Sequence, residues 1–240
     1  MPNPIFIAVN IVAVALATHR TRPRILKGHP PVSQPFAKAT LEQYLSDLAA
    51  KIPAPGGGAV AALHAAQGAA LVAMVARYTT RAKDADNRPV VDRIIEAADA
   101  ARERCLALAD ADAAAFTAVG EAYKLPKDTE EQAAARTAAI NAALVQAAQV
   151  PAAVVDEADE VLSLATELFP IGNPNVVTDI GAAADACRAA ALSSQLNIEI
   201  NVRSLPAAEG DRFASVLLRI EELAARADGL HADVLHAVRG

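Results

Sequence analysis

The sequence predicts an all-α protein, a bundle of about six mostly long helices with one of them kinked. Three observations carry this. Hydrophobic residues make up 53% of the chain but aromatics only 3%, with no tryptophan, so alanine supplies much of the apolar content. Alanine is the best helix former, and small side chains let helices approach closely. Capping signals recur ahead of apolar runs with three- and four-residue steps, and neither a strand pattern nor an internal repeat is present.

The elements follow in order. Thr40-Leu41-Glu42-Gln43 fits a capping box and predicts a short helix to about Lys51. Pro53-Ala54-Pro55-Gly56-Gly57-Gly58-Ala59 then opens into a second helix, predicted to reach about Thr79. Asp86-Asn87-Arg88-Pro89 places a capping residue and a proline at the start of a third, which ends before Leu125-Pro126. Thr129-Glu130-Glu131-Gln132 is a second capping box, and Pro151 inside the fourth helix predicts a kink. Pro170 to Asn175 reads as a loop. A fifth helix is predicted from about Thr178 to Val202 and a last one from about Ala207 to Ala237.

Composition excludes some classes. Lys and Arg number 22 against 28 Asp and Glu, a net charge of −6, so no affinity for nucleic acid or an anionic membrane is expected. Cys105 and Cys187 lie in apolar helical patterns and read as reduced core residues of a cytoplasmic protein. No Cys/His cluster points to a metal, and His231 and His236 do not share a helix face. The apolar run Ile5–Ala17 is too short to span a bilayer. Residues 1–35 read as a tail outside the fold or an over-long start, and 36–240 as one helical domain.

Polar residues on apolar faces mark the candidate site. The glycines at a helix start leave N–H groups that favour anions, but the spacing is neither that of a P-loop nor of a dinucleotide fingerprint. In the third helix Cys105, Leu108, Asp112, Ala115, Phe116 and Val119 form one stripe, whereas Asp110 points elsewhere. A carboxylate on that stripe must be paired, protonated or functional. In the fifth helix Asp179, Asn197 and Asn201 share a stripe, with Asp179 in the capping turn and the two amides placed to bridge helices. Asp179 and Asn197 are roughly 27 Å apart along such a helix, and Lys124 roughly 18 Å beyond Asp112. One chain therefore cannot gather all of them without folding back or a second subunit.

These segments, in this order, resemble the cyclodeaminase/cyclohydrolase family of folate one-carbon enzymes. The matching stretches are Pro55–Leu63, Asp110–Phe116, Ala122–Lys127, Val150-Pro151, Gly172–Asn175 with Thr178-Asp179, and Asn197–Asn201. Ala59 stands where the family often has Ser, and Thr178 where Ser is common. No formiminotransferase domain precedes the match, so the chain is not read as the bifunctional enzyme. The resemblance implies an all-helical dimer or higher oligomer acting on a reduced folate, with or without a polyglutamate tail, and needing no metal or further cofactor. It implies hydrolysis of 5,10-methenyltetrahydrofolate to 10-formyltetrahydrofolate, or formiminotetrahydrofolate cyclodeamination, in which N10 closes the ring and ammonia leaves. A free-standing chain tilts this toward the hydrolase. A non-catalytic helical oligomer on the same scaffold is the reading from another class. Asp112 is assigned proton transfer or cation stabilisation, with Asp179 the second choice and Lys124 orienting substrate or donating a proton. Pro55, Gly56, Gly57 and Gly58 would bind pterin or a glutamate carboxylate, with Asn173, Asn175, Asn197 and Asn201 supplying further hydrogen bonds.

Overall fold

The computed structural model describes residues 35–240. The predicted tail, with Ile5–Ala17, lies outside the described residues apart from Pro35. A 3₁₀ turn, Phe36–Lys38, leads into α1 (Leu41–Leu48), α2 (Gly57–Arg77), α3 (Arg88–Lys124), α4 (Glu130–Leu168), α5 (Thr178–Val202) and α6 (Ala214–Arg239). Among the described residues there is no strand.

The helix starts show why the boundaries fall where they do. Thr129 accepts from the Gln132 N–H at 3.2 Å, and Gln132 Oε1 accepts from the Thr129 N–H at 3.3 Å, a complete capping box. The box at Thr40 is only half made. Thr40 Oγ1 accepts from the Gln43 N–H, but the Gln43 amide donates to Asp47 instead of turning back. The last predicted helix is broken at its start. Ala207–Gly210 forms one α-turn and Asp211–Phe213 a 3₁₀ turn that buries Phe213, and only then does α6 begin. α4 runs unbroken through Pro151, which gives no support to the predicted kink.

α2 is the axis of the bundle, packed on α3, α4 and α5. Its buried face is built mostly of alanine, valine and glycine. Gly68 shows how close the packing is: a methyl group there would meet Cys187 Sγ at 3.1 Å and the Ala183 carbonyl at 3.3 Å. Both cysteines are free and buried, and burial pushes the Cys105 thiol up to about 12. By length and composition α2 and α4 could each cross a membrane, but α2 is apolar here because protein surrounds it. α3 and α5 both run antiparallel to α2. Arg77 pairs with Asp99 near its C-terminal end, while Ala59 meets Asp112 and Gly57 meets Asn197 at its start.

α3 and α4 continue past the start of α2 as a two-helix arm. Beyond Asp112 only Ala115 and Ala122 of α3 are buried, and the first buried residue of α4 is Leu144. The stripe predicted on α3 is therefore correct in period but incomplete in cover. Phe116 is 40% exposed because α2 does not extend far enough to meet it. Ionic pairs fasten the rest: Arg104 with Glu157 and Glu160 between α3 and α4, and Arg226 with Asp159 between α6 and α4.

Candidate active site

The N-terminal end of α2 is where the predicted polar residues meet. The peptide Ala54–Pro55 is cis, and Pro55 is buried just ahead of the glycines. Gly56 lies in extended backbone, φ −139°, ψ −160°, which any residue could adopt. None of the three glycines has positive φ. Their use is close approach, not turning. A methyl group on Gly58 would lie 1.9 Å from Asp112 Oδ1, and one on Gly57 would lie 3.6 Å from the Asn197 amide nitrogen. Nothing lies within 4 Å of the corresponding point on Gly56, so the loop is open on that side.

Asp112 reaches this loop from α3. Its Oδ2 accepts the Ala59 N–H at 3.0 Å, so a carboxylate from a neighbouring helix occupies the first turn of α2. The free N–H groups and the helix dipole both favour a negative group there. Burial dominates nonetheless and raises the Asp112 carboxyl above its ordinary value, with the Ala59 hydrogen bond opposing it. A carboxyl so placed takes up a proton more readily than a solvated one and can face a cation. Asp110, two residues earlier, accepts the Phe36 N–H at 2.8 Å and holds the N-terminal turn.

Asn197 and Asn201 come to the same end from α5 but do different work. The Asn197 Nδ2 donates to the Ser193 carbonyl at 2.7 Å, and its amide lies against Gly57. The Asn201 Nδ2 donates to Asn197 O at 2.7 Å and to Ala147 O at 3.2 Å. Ala147 is the residue whose carbonyl Pro151 leaves without its helical donor, because proline has no N–H. Asn201 supplies that hydrogen bond from the neighbouring helix. Both of its amide protons are thereby used.

The other predicted residues lie elsewhere. Asn173 and Asn175 sit at the opposite end of α2, roughly 30 Å away along the helix. The Asn173 N–H donates to Thr79 Oγ1 and its amide to the Tyr78 carbonyl, while its own Oδ1 accepts the Asn175 N–H. Asp179 lies in the first turn of α5, at that same far end; the N-cap position is Val177, not Asp179. Lys124 is at the tip of the arm, exposed and paired with Glu121 at 2.6 Å. The structure thus brings Gly56, Gly57, Gly58, Asp112 and Asn197 together, and leaves Lys124, Asp179, Asn173 and Asn175 outside that group within one chain.

Sequence reasoning missed Tyr44. It stands buried on α1, and the Asp112 charge acts on its hydroxyl. An aromatic on a short amphipathic helix reads as core, and only the structure shows a hydroxyl with no hydrogen-bond partner among the described residues. It also missed Thr79, which is buried and fully satisfied, donating to Val75 O at 2.9 Å and accepting from Asn173.

A family model described as formiminotransferase-cyclodeaminase matches residues 40–217. The chain is 36% identical over 202 residues to a methenyltetrahydrofolate cyclohydrolase of Methylorubrum extorquens, covering 83% of this chain and 96% of that one. It is 34% identical to the rat formimidoyltransferase-cyclodeaminase, covering 80% of this chain but only 36% of the larger protein. In three dimensions it matches the crystal structure of a formiminotetrahydrofolate cyclodeaminase from Thermotoga maritima with a TM-score of 0.72 and 30% identity, over 85% of this chain and 98% of that one.

Proposed function

This chain belongs to the formiminotransferase-cyclodeaminase family, and on that premise we propose that it is a folate one-carbon enzyme hydrolysing 5,10-methenyltetrahydrofolate to 10-formyltetrahydrofolate. The observation that carries this is the Asp112 carboxyl, held by the Ala59 N–H beside the open glycine loop. The methenyl carbon lies between two nitrogens and carries a delocalised positive charge. A carboxylate facing it stabilises that cation and takes a proton from the attacking water. The water oxygen forms a bond to the carbon and gives a neutral carbinol. As the carbinol loses its remaining O–H proton, the bond to N5 breaks and N5 takes up a proton. The formyl group stays on N10, and one proton is released overall. Asp112 is the relay for these transfers. Gly57 and Gly58 offer first-turn N–H groups to the pterin or to a glutamate carboxylate, and Asn197 orients the ring from α5.

Ring closure of formiminotetrahydrofolate is the second reading, favoured by the Thermotoga structure. That cyclodeaminase is matched over 98% of its own length. A chain of this extent therefore does not by itself favour the hydrolase. The same carboxyl would serve, moving protons as N10 attacks and ammonia leaves. Purified protein incubated with methenyltetrahydrofolate, with loss of its chromophore followed by absorbance, decides between the two. Acceleration abolished by Asp112→Asn supports the hydrolase. No acceleration, with ammonia released from the formimino substrate, supports the cyclodeaminase.

We also propose that the protein works as a homo-oligomer in the cytoplasm. The arm supports this: Phe116 and Leu125 are 40% and 41% exposed, and Leu196 on α5 is 73% exposed. A second copy covering these faces would bring a Lys124 toward an Asp112 that its own chain cannot reach. Light scattering under assay conditions tests it, and a fully active monomer would refute it.

A further inference from the structure

α3, α4 and α5 pack on α2, and its remaining side is left partly open. Along that side Val60, Leu63, His64, Leu71 and Met74 are half-buried and Gln67 is exposed. Steps of three and four place all six on one face. From Gly57 to Ala76 the helix carries no Lys, Arg, Asp or Glu. The stripe is also symmetric about its centre. Leu63 and Leu71 stand equally far from Gln67, as do Val60 and Met74. Self-complementarity of this kind is what a two-fold contact between identical chains requires. Gln67 fits the centre of such a contact, because its amide is both donor and acceptor and two copies can satisfy each other. Pairing α2 with itself in this way is antiparallel, which helix dipoles favour.

The register of α5 on α2 shows what such a pairing would join. Asn197 lies against Gly57, and Ala183 and Cys187 lie against Gly68. Asp179 is roughly 27 Å from Asn197 along α5, which sets it beside Val75. A two-fold axis at Gln67 exchanges Val75 with Ala59, the residue whose N–H Asp112 accepts. Asp179 itself is half-exposed and has no hydrogen-bond or ion-pair partner among the described residues. We propose that a second copy of this chain packs on the open side of α2, two-fold about Gln67, and that the partner's Asp179 completes the site at Asp112. This face is separate from the exposed arm. Two carboxylates then divide the work: Asp112 moves protons at the end of the glycine loop, and the partner's Asp179 faces the cationic ring. The inference rests on Asp112 being the acid–base group of the proposed reaction.

The test is complementation between two full-length variants. Asp179→Asn alone is expected to lose turnover by on the order of 10²-fold, and wild-type turnover in it overturns the proposal. Co-expressed with Asp112→Asn, it should recover about a quarter of wild-type turnover, since half of the pairs are mixed and one of the two sites in each is whole. No recovery, with both chains folded, would place the two carboxylates in separate sites and overturn the proposal. A second measurement needs no activity. Both native cysteines are buried, so Gln67→Cys offers one exposed thiol on the proposed axis. A short bismaleimide should join two such chains at a concentration where Glu221→Cys, exposed on α6, gives no cross-link. Gln67→Cys protein that stays single overturns the pairing and leaves the stripe to a different protein or a lipid surface. Should the unmodified chain turn over neither folate, the proposed reaction fails, while the cross-link still decides the face.

Discussion

At the C-terminal end of α2, Thr79, Asn173 and Asn175 satisfy one another, and Arg81 closes the group by donating to the Gly172 carbonyl at 3.0 Å. At the N-terminal end, among the described residues, Asp112 accepts a single backbone N–H, the Tyr44 hydroxyl has no hydrogen-bond partner, and the Gly56 side is open. Both ends carry segments of the family resemblance. The difference supports the proposed placing of the chemistry at the N-terminal end. Polar groups that are mutually saturated fix the chain, and those left unsaturated are available to a ligand.

Substitutions at the two ends can break that contrast. The largest effect is expected from Asp112→Asn, which keeps shape and removes the proposed proton relay. Turnover should fall by on the order of 10²–10⁴-fold with the helical circular dichroism unchanged. Gly58→Ala comes next, because its methyl group would stand 1.9 Å from Asp112 Oδ1 and push the carboxylate away. A loss of on the order of 10²-fold is expected from the misplaced group. Gly56→Ala, with open space beside it, should stay near wild-type turnover. Equal losses from both alanines would mean that loop flexibility, not the place of Asp112, matters.

Smaller effects sharpen the comparison through stability. Asn201→Ala should cost roughly 1–3 kcal/mol in chemical denaturation, since it strands the Ala147 carbonyl. Restoring an N–H with Pro151→Ala should remove much of that cost, so the double variant should lose less than the two single losses added together. At the far end Asn173→Ala should cost about 1 kcal/mol while leaving turnover unchanged. A drop in turnover there would show that the two ends act together, as they would if a second subunit joined them.

The pH dependence follows from Asp112. Burial holds its folded carboxyl above the ordinary aspartate value of 3.8. The folded state therefore binds more protons than the unfolded one, and this contribution to stability falls as pH rises from about that value through the raised one. Asp112→Asn should flatten the stability profile over that window, and denaturation at a series of pH values reads it.

Much of this was legible before any coordinates. The complete capping box at Thr129 and the Asn87-Arg88-Pro89 start marked helix ends that the structure keeps, the first through its local hydrogen bonds and the second through the fixed φ of Pro89, since the Asn87 side chain makes no capping bond. Asp112 stood out as the carboxylate on an apolar stripe, and the structure places it on the glycine loop. What stayed hidden depends on contacts distant in sequence. The exposure of Phe116 follows from where α2 begins, not from the pattern of α3. The break before α6 follows from burying Phe213 in a 3₁₀ turn, although the residues around it favour helix. The tie of Asn201 to the Ala147 carbonyl, four residues before Pro151, is likewise a contact that only the fold reveals.

That last pairing constrains how the family can drift. Pro151 and Asn201 lie 50 positions apart, yet the amide answers a vacancy that the proline creates. A lineage that loses the asparagine first passes through a form with an orphaned carbonyl in its core. One that loses the proline first passes through a form in which the amide is merely superfluous. The order of the two changes is thus directional, and the proline is the member that should be found missing alone.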